Sequence, residues 1–285
     1  MGIVRFEKDD GAVALGIAEE EKIVSLEGVC SSFSGLFQLN DQKTALQEAL
    51  QKGRRYARTA VCLKAPLDRN AAIFAVAANY VQHAAEMGVT VPEHPLIFNK
   101  LYQSMIGPDE EIVFPPYSRQ MDYEGELAVI IGKGGFAIAE EEAMAHVGGY
   151  TCFNDITARD RQWTMLGEHR IIDWFSSKMM ERSTPLGPWI VLQEEIPNPH
   201  DLRLQTRING DTVQDESTAL MVFKIPVLIA YISSRVFLHP GDVIATGTPF
   251  GVGGYDKKII LQPGDKIEVE IQKIGILTNR CRAQI

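Results

Sequence analysis

The stretch Met121-Asp122-Tyr123-Glu124-Gly125-Glu126-Leu127-Ala128-Val129-Ile130-Ile131-Gly132 constrains this chain more than any other. Its second half is built from Leu, Ala, Val and Ile, the residues of a buried strand. Side chains alternate faces along a strand, so Asp122, Glu124 and Glu126 fall on one face, and Tyr123, Leu127 and Val129 on the other. Gly125, between the glutamates, allows another backbone or a ligand to approach closely. Neighbouring carboxylates repel by about 4 kcal/mol at ~4 Å and an effective dielectric of ~20. A folded chain accommodates this by solvating the face, by protonating one partner, or by holding a cation between them. The apolar run that follows makes solvation the less comfortable answer.

A further acid lies in Phe153-Asn154-Asp155-Ile156-Thr157-Ala158-Arg159-Asp160, where Asp155 ends a strand expected over 149–154. A helix expected over 139–146 would return the chain beside the first strand and bring Asp155 to Glu124 and Glu126. Such an all-oxygen site, without Cys or His, selects Mg²⁺ or Mn²⁺, with Ca²⁺ also admissible, over Zn²⁺. It leaves coordination positions open for substrate, as metal-assisted catalysis requires.

Composition limits the partners. The 285 residues carry 28 Lys and Arg against 37 Asp and Glu, a formal net charge of −9. Phosphate fields repel such a chain, so neither nucleic acid nor a membrane surface is an expected partner. Hydrophobic residues at 45% and charged residues at 23% belong to a folded globular protein, not a disordered or fibrous one. Cys30, Cys62, Cys152 and Cys281 are too dispersed for a CxxC pair, a zinc signature or a redox motif, and read as free thiols in a reducing compartment. The first residues lack the apolar core of a secretory leader. No apolar run nears the ~20 residues of a bilayer span. A cytoplasmic protein is the expectation.

Residues 1–70 read as a small N-terminal α/β accessory module: strands over 3–6, 12–17 and 22–25, a helix over 42–52, and a boundary loop at Pro66-Leu67-Asp68. Residues 71–285 form the larger unit, with strands expected at 72–77, 96–98, 123–131, 149–154, 189–192, 203–208, 243–246, 258–261 and 266–271. A further helix is expected over 226–234; the stripe Ile225, Leu228, Ile229 and Ile232 packs on the core or at a dimer contact. Many strands and few helices argue for an α+β class with a mixed, mostly β core and peripheral helices.

Several segments together resemble the fumarylacetoacetate hydrolase family. They are Asp122–Val129, Asn154–Asp160, Pro185-Leu186-Gly187-Pro188-Trp189-Ile190-Val191, and Pro240–Ile244 with Thr246-Gly247-Thr248-Pro249 and Gly251-Val252-Gly253. The resemblance covers about residues 71–275 and follows the family's order. It implies a β-roll or barrel core, a homodimer, and a divalent metal held by Glu124, Glu126 and Asp155. It also implies a small 2,4-dioxo or 2-oxo acid as substrate.

In Asn79-Tyr80-Val81-Gln82-His83-Ala84-Ala85-Glu86, His83 and Glu86 are neighbours if the piece is helical, and could be a surface pair or a dyad in which Glu86 orients a proton-accepting His83. Family members carry a similar pair on a lid, and 87–94 has a lid's loop composition. The resemblance also points to Lys178 as an active-site lysine. It makes Arg159, Gln162 and Thr248 candidates for holding a substrate carboxylate; a salt bridge and a tight turn are the plainer alternatives. Met179-Met180-Glu181 replaces the family's usual Phe-Asp pair, and the Gln162–Lys178 interval is longer than in many members. The implied activity is hydrolytic C–C cleavage of an acylpyruvate or fumarylpyruvate-type acid. Oxaloacetate decarboxylation, 2-oxo acid isomerisation or hydration, and metal binding without turnover are the alternatives.

Overall fold

The computed structural model describes residues 1–283, and the chain is α+β, mostly sheet, with few and short helices. The larger sheet runs, in order, Arg55–Ala57, Lys22–Ser25, Val13–Ala18, Gly2–Glu7, Thr184–Leu192, Val147–Asn154, Gly125–Ile131, Val243–Ala245, Ile73–Ala77 and Leu96–Asn99. A second sheet runs Asp211–Ser217, Arg203–Ile208, Lys266–Ile271, Gly275–Ala283 and Glu111–Phe114. Most pairings are antiparallel; Ile73–Ala77 joins Val243–Ala245 in parallel.

The strand Gly125–Ile131 lies near the middle of the larger sheet and is buried on both faces. Leu127, Val129 and Ile131 pack against Leu204, Val269 and Ile271 of the second sheet. Ala128 and Ile130 face the other way, toward a core shared with Ile3, Phe33 and Leu46. Burial on both faces explains why this segment is an unbroken apolar run rather than an alternating one. Ile225, Leu228, Ile229 and Ile232, on the helix Ile225–Ser233, complete the first of these cores rather than an exposed stripe.

The N-terminal strand Gly2–Glu7 pairs with Thr184–Leu192 (Ile3 opposite Ile190), so residues 1–70 extend the same sheet. Within that segment the helix Gln42–Lys52 forms over the expected residues, its N-terminus capped by the Asp41 side chain, which accepts from the Thr44 N–H. The expected return helix is a 3₁₀ helix, Glu140–His146, and it brings Val147–Asn154 back antiparallel to Gly125–Ile131. The register sets Gly125 opposite Asn154, so Asp155 emerges beside Glu124, whose carbonyl accepts from the Asp155 N–H at 2.8 Å.

The segment expected as a strand at 258–261 is irregular. Lys258 takes a left-handed φ of 52°, and the Leu261 N–H turns to the Met121 carbonyl. Conversely, Trp163–Leu166 and His169–Ile172 form a hairpin that fills the long interval before Lys178. Among the described residues, no helix is long and apolar enough to cross a membrane.

Candidate active site

The acidic segment does not run as one strand. Met121–Asp122 pairs with Thr157–Ala158, and regular pairing resumes only at Gly125. That break separates the acids by task. Glu124 and Glu126 meet Asp155, with one oxygen of each within 4.8 Å of the others. Asp122 instead accepts from the Gly253 and Gly254 N–H groups, both at 2.8 Å, and from Arg159 Nε at 2.6 Å. A Cβ at Gly254 would lie 2.6 Å from Arg159 Cγ, so glycine is needed for the turn to approach the guanidinium. At Gly125 the close neighbour is the protein itself: a Cβ there would lie 2.3 Å from Thr206 Oγ1 of the second sheet.

Three buried cations surround the trio. Lys178, on the short helix Trp174–Lys178, donates to Glu124 Oε2 at 2.6 Å and to Asp155 Oδ2 at 2.5 Å. Arg159 Nη2 donates to Glu124 Oε1 at 2.6 Å. Lys100 Nζ donates to Asp155 Oδ1 at 2.7 Å and also to the Lys178 carbonyl. Asp122, Glu124, Glu126 and Asp155 thus face Lys100, Arg159 and Lys178, four carboxylates against three cations. Lys100 was not among the residues singled out from the sequence. A lone lysine after the strand Leu96–Asn99 carries no local signal, and its partner lies 55 positions away.

The balance is uneven across the trio. Burial would raise Glu124, but Lys178 and Arg159 outweigh it and draw its pKa down to about 2. Burial raises Glu126 well above the ordinary carboxylate range, and Asp155 and Glu124 push the same way. Glu126 accepts from the Gly247 N–H at 2.8 Å, and no Lys or Arg among the described residues forms an ion pair with it. Burial lowers Lys100 despite the pull of Asp155, whereas Asp155 and Glu124 overcome burial and raise Lys178. A divalent cation fits this arrangement: Glu126 forms no ion pair with a Lys or Arg among the described residues, the carboxylates outnumber the cations beside them, and the donors are all hard oxygens. Glu124, Glu126 and Asp155 are the residues that would hold it.

A cavity of about 170 Å³ opens on Glu124 and Asp155 of the trio, smaller than the roughly 300–1,000 Å³ of drug-sized sites. Glu124, Asp155, Lys178, His83, Gln162 and Thr248 line it. His83 and Glu86 share the helix Val81–Glu86 and are buried, not a surface pair; His83 Nδ1 lies 3.1 Å from Glu86 Oε2. The Gly251 N–H donates to Glu86 Oε1 at 3.0 Å and fixes the carboxylate.

The residues expected to grip a substrate carboxylate are largely engaged within the protein. Arg159 binds Asp122 and Glu124, and its Nη1 donates to Gln162 Oε1 at 3.3 Å. That same oxygen accepts from the Tyr255 hydroxyl at 3.0 Å. The Thr248 hydroxyl donates to the Gly125 carbonyl and accepts from Gln214 Nε2, both at 2.9 Å. Gln162 and Thr248 border the cavity, while Arg159 backs its acidic floor.

Known proteins resemble this chain in sequence and fold. The family described as fumarylacetoacetate (FAA) hydrolase C-terminal matches residues 72–282. A human protein named oxaloacetate tautomerase FAHD2A, mitochondrial, is 42% identical over 224 residues, which cover 78% of this chain and 70% of that protein. A fumarylacetoacetate hydrolase from psychrophilic Exiguobacterium antarcticum is 33% identical, with a TM-score of 0.82 over 100% of both chains. Maleylpyruvate hydrolase from Sphingobium sp. SYK-6, solved in complex with manganese (II) ion and pyruvate, is 28% identical, with a TM-score of 0.82 over 100% of both chains. The chain belongs to the fumarylacetoacetate hydrolase family, as a metal-dependent enzyme acting on small molecules.

Proposed function

We propose that this enzyme moves a proton at C3 of a small 2-oxo acid and so interconverts its keto and enol forms. The observation that carries this reading is the buried His83–Glu86 pair on the same cavity as Glu124, Asp155 and Lys178. Glu86 accepts from Nδ1 and leaves Nε2 as the basic ring nitrogen. His83 takes the C3 proton there and returns it to carbon or oxygen. When bound at the three carboxylates, a divalent cation, with Mg²⁺ or Mn²⁺ the ions the hard donors favour, supplies Lewis-acid polarisation of the 2-oxo oxygen. Lys178, held between Glu124 and Asp155, places a fixed positive charge beside the developing enolate. The 42% identical human protein carries the name of a tautomerase, which supports proton transfer as the core reaction.

Hydrolytic C–C cleavage of a 2,4-dioxo acid is the second reading, favoured by the same dyad. His83 would then take a proton from water, whose oxygen adds to the C4 carbonyl. Collapse breaks the C3–C4 bond, giving a carboxylic acid and the enolate of pyruvate, which is protonated at C3. The hydrolase names of the two solved structures support this reading.

The test follows the enol absorbance of oxaloacetate and acetylpyruvate with Mg²⁺, with Mn²⁺ and with chelator, while pyruvate and carbon dioxide are measured in parallel. We expect metal-dependent keto–enol exchange that falls roughly 10²- to 10⁴-fold in His83→Gln. Pyruvate release from acetylpyruvate at a comparable rate would favour hydrolysis. Carbon dioxide from oxaloacetate, undiminished in His83→Gln, would favour decarboxylation and overturn the proton-transfer role.

A further inference from the structure

The strands Ile73–Ala77 and Leu96–Asn99 line the cavity above the acidic floor with Val76, Ala77, Leu96 and Phe98, and two further segments complete its walls. The hairpin supplies Trp163 and Ile172, which sit opposite each other in its register, and Trp174 opens the short helix that follows Asp173. The loop after the His83 helix supplies Met87, Val89, Thr90 and Pro92. Trp174 is held in place by stacking on Phe98, with ring centroids 4.5 Å apart and planes 3° apart. Among the described residues, Lys178 is the one Lys or Arg that lines the cavity, and Glu124 and Asp155 already occupy it. Arg170 stacks 4.3 Å over the Trp163 ring but is exposed and does not line the cavity. Arg159 and Lys100 are bound to carboxylates of the floor.

A 2-oxo acid anchored at the floor therefore places the rest of its chain against mostly apolar side chains, with Thr90 the one polar side chain among the described residues of these walls. We infer that the substrate's C4 substituent is uncharged and apolar, and that Trp163, Ile172 and Trp174 select against a second carboxylate. This rests on the proposed 2-oxo acid reading and sharpens it: oxaloacetate would be processed by virtue of its reacting end and disfavoured at its far end. A buried carboxylate without a partner is strongly penalised, whereas each methylene buried against such walls is worth roughly fourfold in kcat/KM.

The test uses the Mg²⁺-loaded enzyme. The series 2,4-dioxopentanoate, 2,4-dioxohexanoate and 2,4-dioxoheptanoate is compared with oxaloacetate and fumarylpyruvate for enol exchange and for cleavage. We expect kcat/KM to rise along the series and to exceed that for the two dicarboxylates by tenfold or more. Ile172→Arg, at a half-buried wall position, should reverse that preference by restoring a cation at the far end. Dicarboxylates preferred by wild type would overturn the inference and leave the reaction class standing. Should none of these acids be turned over, the reaction class falls. Calorimetry then decides the tail separately: tighter binding of 2-oxohexanoate than of 2-oxoglutarate supports the apolar wall, and the reverse order contradicts it.

Discussion

Lys100 Nζ lies 2.7 Å from Asp155 Oδ1, with the lysine side chain fully removed from solvent. The same ammonium holds the Lys178 carbonyl, so one buried lysine fixes both a metal-facing carboxylate and the end of the helix that presents Lys178. Replacing it with Met keeps the length and removes both bonds. Breaking a buried ion pair costs about 3–5 kcal/mol. We expect Lys100→Met to lose stability of that order in chemical denaturation and to bind Mn²⁺ at least tenfold more weakly. A variant with unchanged stability and unchanged metal affinity would show that Asp155 does not depend on Lys100.

Glu124 and Glu126 are displaced in opposite directions, and metal-free protein should respond to pH from both sides. Glu124 sits at about 2 against an ordinary 4.5, so its stabilisation is present above 4.5 and is lost as pH falls through about 2. A shift of that size corresponds to roughly 3 kcal/mol. Glu126 is raised, so its contribution is full below 4.5 and disappears as pH climbs through its higher folded value. Thermal unfolding in chelator should therefore decline toward strong acid and again as pH rises. Glu126→Gln should abolish the second decline, and added Mg²⁺ should offset it in wild type only. A flat profile on the high-pH side would contradict the uncompensated charge on Glu126.

Gly254→Ala should disturb the other side of the floor. The added Cβ would sit 2.6 Å from Arg159 Cγ and 2.9 Å from its Nε. The guanidinium would have to move away from Asp122 and Glu124, which it now holds at 2.6 Å each. Overpacking of this kind costs about 1–3 kcal/mol. We expect a loss of that size in urea denaturation, with reduced turnover; wild-type values for both would mean the loop simply shifts.

Much of this was legible in the sequence because it is local. Alternation and apolar composition located Gly125–Ile131 and its return strand, and with them the meeting of Glu124, Glu126 and Asp155. The strands Arg203–Ile208 and Lys266–Ile271 match their expected bounds because each is an amphipathic alternation with one face on the core. The i, i+3 spacing of His83 and Glu86 became a real contact once the segment proved helical.

What escaped was set by distant partners or by backbone conformation. Lys100 acquires its role only when folding brings Asp155 to it. Asp122 shares its spacing with the two glutamates, yet the break at Tyr123 hands it to Arg159 and to the turn at Gly253 and Gly254. Residues 258–261 look like a strand, but a left-handed Lys258 prevents pairing. Arg159 and Thr248 were found near the site, whereas their engagement with Asp122, Glu124, Gly125 and Gln214 needed coordinates.

The most direct measurement is anomalous diffraction at the manganese edge from crystals grown with Mn²⁺ and pyruvate. We expect one manganese peak in contact with a carboxylate oxygen from each of Glu124, Glu126 and Asp155, on the cavity that His83 lines. Absence of a peak beside those carboxylates, in protein whose activity the same Mn²⁺ restores, would contradict the assignment of the metal and of the chemistry built around it.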